Sequence, residues 1–148
     1  MHMKKMILGL VITVLMLGCS DDDDKHSLSK DELIGKWIWV STESKMQFLG
    51  QETSTTVGAE DYDFVSYIVF MADGNYEASG DLIGGEISYE KEITTGTYKI
   101  DGDNIIVTVE DMAITSKAEI ENGNRLVMTY NQGFEGVMVK MVSIYTKE

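Results

Sequence analysis

Turn signals recur every ~8–12 residues along this chain, and no stretch between them has a helical period. Ala72-Asp73-Gly74-Asn75, Asp101-Gly102-Asp103-Asn104 and Glu121-Asn122-Gly123-Asn124 each put glycine and asparagine where a hairpin demands positive φ. Short runs rich in β-branched and aromatic residues lie between them: Lys36–Val40, Phe64–Met71, Tyr76–Ile83, a strand or two within Ile87–Ile100, Ile105–Val109, Ile114–Glu121, Leu126–Tyr130 and Val137–Tyr145. Breaks are expected at Gly84-Gly85 and Gln132-Gly133. Ile114–Glu121 alternates Ile114, Ser116, Ala118 and Ile120 against Thr115, Lys117, Glu119 and Glu121, the pattern of a half-buried strand. There is no proline to block pairing. The pattern predicts an all-β, antiparallel domain, either a barrel or a β-sandwich.

Two segments stand apart from this rhythm. Ser29-Lys30-Asp31-Glu32 fits a capping box, and Gly35 stops it after one helical turn. Ser41–Asp63 is the least patterned stretch, with Met46, Phe48, Leu49 and Val57 its main apolar residues. It reads as a long loop, a weak strand, or both, and its length makes it a candidate lid. Both alternating sets of Val137–Tyr145 are apolar, so the outside of that strand is expected to be covered, by Ser41–Asp63 or by another protein.

The first residues have a different logic. Lys4 and Lys5 precede the apolar run Met6–Gly18, and a small residue stands before Cys19. The run is 13 residues, short of the ~20 a spanning helix requires. Leu15, Met16, Leu17 and Gly18 ahead of Cys19 resemble a bacterial lipobox, with Met16 where leucine is commonest. That resemblance implies cleavage before Cys19 and acylation of its thiol. Ser20, Asp21, Asp22, Asp23 and Asp24 then form a self-repelling, solvated spacer. They also resemble the signal that sends Bacteroidota lipoproteins to the outer face of the outer membrane. Asp21–Lys25 has the letters of a protease tag, but it abuts the lipobox with no tag before it. The expected organisation is a signal peptide over 1–18, an acidic tether over 19–28 and a folded domain over 29–148.

Charge and missing residue types narrow the function. Of 12 basic residues, Lys4 and Lys5 leave with the signal; the remaining 10 against 25 acidic residues give a net charge of −15. Such a chain repels nucleic-acid phosphates and anionic head groups, so the expected membrane contact is through acyl chains alone. Cys19 is the only cysteine and cannot form an internal disulfide. The only histidines are His2 and His26, outside the domain. That removes thiolate–imidazole zinc sites, histidine triads and cysteine nucleophiles from it. The Asp73-Gly74-Asn75 and Asp101–Asn104 turns lack the distal glutamate of a calcium loop, so no metal or other cofactor is expected. Glu86, Glu90, Glu92, Glu110 and Asp111 could host carboxylate chemistry, but nothing pairs two of them, and no enzyme activity is expected.

With the strands placed, a family resemblance can be stated. Leu33-Ile34-Gly35-Lys36-Trp37 resembles the opening of lipocalins, where a helical turn leads into Gly-x-Trp on the first strand. Phe70–Tyr76, Gly96–Gly102 and Ser143–Lys147 resemble hairpin and closing segments of the small lipocalin-like domains of Bacteroidota lipoproteins. The resemblance covers nearly Leu33–Lys147. It implies one antiparallel up-and-down β-barrel of about eight strands, with Gly35 and Trp37 marking its closed end. In that family a late basic residue covers the tryptophan; here Lys140 and Lys147 are the candidates.

The function expected from this resemblance is a membrane-anchored, exported binding protein for a small apolar ligand. Phe64, Tyr67, Phe70, Met128, Tyr130 and Met141 are the candidate ligand contacts, since aromatics offer area and methionine adapts to irregular shapes. The alternative is a ligand-free interaction or accessory module within a surface protein complex. The expected location is the outer membrane, lipid-anchored and exposed at the cell surface.

Overall fold

The computed structural model describes residues 27–80 and 93–148. The expectations for Cys19, Ser20 and the four aspartates lie outside the described residues, as do those for Gly84-Gly85, Glu86, Glu90 and Glu92. Among the described residues, a single helical turn, α1 (Lys30–Leu33), leads into nine strands. They are β1 (Gly35–Phe48), β2 (Gln51–Gly58), β3 (Tyr67–Phe70), β4 (Asn75–Ser79), β5 (Ile93–Asp101), β6 (Asn104–Val109), β7 (Met112–Glu121), β8 (Arg125–Phe134) and β9 (Val137–Lys147). Every neighbouring pair is antiparallel, and β9 returns to β1 from Trp37↔Lys147 to Phe48↔Val137. That last ladder closes an eight-stranded barrel and rules out the sandwich. Closure gives each of the eight barrel strands a partner on both sides, where an open sheet would leave two edges bare.

β2 is the one strand beyond the eight. It pairs with Ser41–Phe48, while β3 pairs with Gly35–Ile38, so both lie along one edge of β1. Residues 59–66 separate them, with a 3-10 turn at Ala59–Asp61 whose Asp61 Oδ2 accepts the Gly58 N–H at 2.9 Å. Ser41–Asp63 is therefore no lid. Its first part is barrel wall, and it pairs edge-on with β9 rather than covering it. Its polar composition suits a strand exposed on its outer face.

Two other expectations change. Ser29 stands at the start of α1 in an extended conformation, but its side chain makes no capping bond. No break falls at Gln132-Gly133: β8 runs through to Phe134, and the turn is Glu135-Gly136, both at positive φ. Gly133 lies opposite Met138, whose sulfur would stand 3.0 Å from any Cβ added there. The glycine makes room for that side chain instead of ending the strand.

Inward and outward faces follow the pleat. Leu33, Trp37, Phe70, Ile105 and Leu126 are fully buried and fill the end of the barrel that α1 covers. The Tyr98 ring meets Phe70 edge-on at 4.9 Å, and its hydroxyl donates to the Met71 carbonyl at 2.8 Å. Burying this set is the main stabilising contribution in a chain with no internal disulfide. Gly96, on the inner face of β5, lies so close to β6 that an added Cβ would overlap the Thr108 carbonyl oxygen. Gly96→Ala is expected to cost about 1–3 kcal/mol, read as a lower urea midpoint with an unchanged m-value. An unshifted midpoint would show that β5 and β6 can separate freely there.

Candidate ligand-binding cavity

The closed end is built around Trp37. Gly35 sits at φ +130°, a conformation glycine takes readily, and it lets the Lys147 stem pass 3.3 Å from where a Cβ would be. The Trp37 Nε1–H donates to the Leu33 carbonyl at 2.7 Å, tying the ring to α1. Lys147 places its ammonium 5.1 Å from the Trp37 ring centroid and donates to the Glu32 carbonyl at 2.8 Å. Of the two candidate basic residues, Lys147 is the one over the tryptophan; Lys140 is exposed on β9.

Above this floor the interior is not filled. A cavity of about 280 Å³ lies between β3, β4, β6, β7, β8 and β9. Its apolar lining is Ile68, Val107, Met112, Ile114, Met128 and Met141, and its polar groups come from Tyr76, Ser116, Tyr130, Gln132, Ser143 and Tyr145. The volume sits near the lower end of the ~300–1,000 Å³ common for small-molecule sites. Among the described residues, β7 and β8 pair only from Lys117↔Thr129 to Glu121↔Arg125. Beyond Lys117 and Thr129 the two strands part. Met112, Ile114 and Ser116 line one side of this seam, and Tyr130 and Gln132 the other. The apolar side chains at the same end of the barrel are exposed: Leu49 at 84%, Phe134 at 69% and Met138 at 54%.

The six residues expected as ligand contacts divide. Met128, Tyr130 and Met141 line the cavity. Phe70 is fully buried in the floor between Tyr76 and Tyr98. Tyr67 alternates outward from Ile68 and donates its hydroxyl to Glu77 Oε1 at 3.0 Å, under the Lys36 ammonium. Phe64 meets Tyr62 at a tilt, 5.4 Å between ring centres, and Tyr62 in turn meets Trp39, so Phe64 packs within the segment 59–66 that joins β2 to β3. Nine of the twelve lining residues, Ser116, Ser143 and Tyr145 among them, were not in the expected set. Ser116 had a usable signal, a small polar residue on the apolar set of an alternating strand.

A bulge in β1 sets the polar side of the cavity. The register with β9 slips between Trp39 and Ser41, leaving Val40 unpaired. The slip brings Thr42 opposite Ser143. The Trp39 Nε1–H donates to Thr42 Oγ1 at 2.9 Å, and Thr42 Oγ1 and Ser143 Oγ share a hydrogen at 2.8 Å. Tyr145 lies two residues on, on the same face, and lines the cavity beside Ser143.

Burial pushes the Tyr145 hydroxyl far above the ordinary tyrosine range, with a partial offset from Ser143. Tyr98 is raised too, by burial and then by the Asp73 carboxylate. In the unfolded chain these phenols ionise near pH ~10, while in the fold they hold their protons to higher pH. Their contribution is therefore complete below that pH and is lost as pH rises above it. The urea midpoint is expected to fall steadily above about pH 10, and less steeply in Tyr145→Phe. Equal slopes in the two proteins would contradict the burial of this hydroxyl.

Among the described residues, no group of three or more His, Cys, Asp or Glu side chains could hold a metal ion. Glu110 and Asp111 form the exposed β6–β7 turn and do not line the cavity.

A family model described as a lipocalin-like domain matches residues 33–143. No curated protein matches the chain. A crystal structure of an uncharacterized protein from Bacteroides eggerthii DSM 20697 is similar at 15% identity, covering 78% of this chain and 99% of that one, with a TM-score of 0.43.

Proposed function

The chain belongs to the lipocalin-like domain family, and from that premise we propose that it binds a small, mainly apolar molecule inside its barrel. The observation that carries this reading is the cavity of about 280 Å³, walled by aliphatic and methionine side chains and reached through the seam between β7 and β8. A fully packed barrel of eight strands would have placed larger side chains at Ser116 and Ser143. Binding rather than catalysis is the proposed activity, because the polar groups of the cavity are neutral hydroxyls and one amide. The test is a titration of tryptophan emission with Nile red, since Trp39 stands one hydrogen-bonded residue from the cavity wall. Saturable one-to-one binding supports the reading; emission that never saturates contradicts it.

The proposal extends to location. Lys4, Lys5, the apolar run and Cys19 support export and acylation, and Ser20 with Asp21–Asp24 supports display on the outer membrane. The expected result is metabolic incorporation of labelled palmitate that Cys19→Ser abolishes, together with release from the membrane fraction. Label retained in Cys19→Ser would overturn the anchor.

A second reading is favoured by the exposed apolar rim. Leu49, Phe134 and Met138 would serve a docking surface for a protein of the same membrane equally well. Cross-linking through Leu49→Cys in intact cells distinguishes it: a discrete adduct supports docking, and its absence supports a free mouth.

A further inference from the structure

The wall of the cavity has a chemical bias that bears on what it can hold. Among the described residues, the twelve that line it include no lysine, arginine, aspartate or glutamate. The domain around it carries a strong negative net charge. A carboxylate moved into such a site would lose its hydration and gain no cation. The potential of the acidic domain would add to that penalty.

The neutral polar groups are not equivalent. The indole of Trp39 can only donate, so it fixes one end of the chain that runs through Thr42 to Ser143. With Thr42 accepting from the indole, its own hydrogen is free to go to Ser143, and each bond polarises the next. Ser143 then has its own hydrogen to offer the neighbouring Tyr145 oxygen. At the end of the chain the Tyr145 O–H is left to donate. Tyr130 and Ser116 add hydroxyls on the same cavity that make no side-chain hydrogen bond among the described residues.

We propose that the cavity selects uncharged, mostly apolar molecules carrying a hydrogen-bond acceptor, such as a ketone, ester or ether oxygen, and rejects carboxylate-ended chains of the same length. This rests on the reading of the barrel as a binding site and names the ligand class for it. The seam fits the same chemistry, because Gln132 and Tyr130 offer an entering oxygen neutral partners.

The test is calorimetric titration of the chain from Ser20 onward with decan-2-one, decanoate and naphthalene at pH 7. Decan-2-one is expected to bind roughly tenfold or more tighter than decanoate. Tyr145→Phe and Tyr130→Phe are expected to weaken decan-2-one several-fold while leaving naphthalene unchanged, with the urea midpoint showing that each variant folds. Gln132→Arg, at the exposed mouth, is expected to recover decanoate binding. Decanoate binding as tightly as the ketone, or tyrosine variants that weaken all three probes alike, would overturn the selectivity and leave the binding function standing. Failure of all three probes to bind would overturn both.

Discussion

Trp37→Ala is expected to lower the unfolding free energy by about 3–5 kcal/mol. The indole is fully buried at the closed end, against Leu33 of α1 and beneath the Lys147 ammonium. Its removal opens a large cavity in a floor that cannot collapse, because β1 is held on both edges at this level, by β3 and by β9. It also leaves the Leu33 carbonyl without its donor and Lys147 without its aromatic face. Trp37→Phe keeps most of the volume and loses the hydrogen bond, so it should cost roughly 1–2 kcal/mol. Urea denaturation at pH 7 measures both. A loss below about 1 kcal/mol for the alanine variant would mean that the closed end is not held by this residue.

Ser116→Phe is expected to abolish binding while the barrel stays folded. Ser116 is on the inner face of β7, paired with Ile105 across β6, and lines the cavity beside the seam. A benzyl group there would occupy a large share of a space of about 280 Å³. Affinity for an apolar probe should fall roughly tenfold or more, because the added ring takes the space the ligand would fill. Stability should change by no more than about 1–3 kcal/mol, since the added ring fills a void instead of displacing packed atoms. The expected signature is a retained urea transition with lost dye binding. Unchanged binding in Ser116→Phe would place the ligand elsewhere, and the exposed rim would become the leading surface.

The barrel was legible where local chemistry forces a structure. Asp-Gly, Asn-Gly and alternating Ile114–Glu121 can be read directly, because glycine, asparagine and the two-residue pleat act over a few residues. Leu49-Gly50, Glu110-Asp111 and Glu135-Gly136 were not legible as turns, since Leu49, Glu110 and Glu135 take positive φ despite belonging to types that seldom do. There the pairing of the strands each turn joins, β1 with β2, β6 with β7 and β8 with β9, overrides local preference. The closing ladder between β1 and β9 turned the polar Ser41–Phe48 into wall. Of the candidate contacts, Met128, Tyr130 and Met141 share the cavity. Phe70, Tyr67 and Phe64 do not line it: which strand end is floor and which is mouth depends on the closed register. The bulge at Val40, which brings Thr42 opposite Ser143, leaves no mark in composition or period.

The most direct test of a ligand-holding barrel is native mass spectrometry of the Ser27–Glu148 domain, purified without detergent from its own producing cells and then incubated with neutral apolar molecules. A one-to-one added mass that leaves on unfolding and is missing from Ser116→Phe is the expected result. A bare mass for the unaltered domain, before and after incubation, would contradict it.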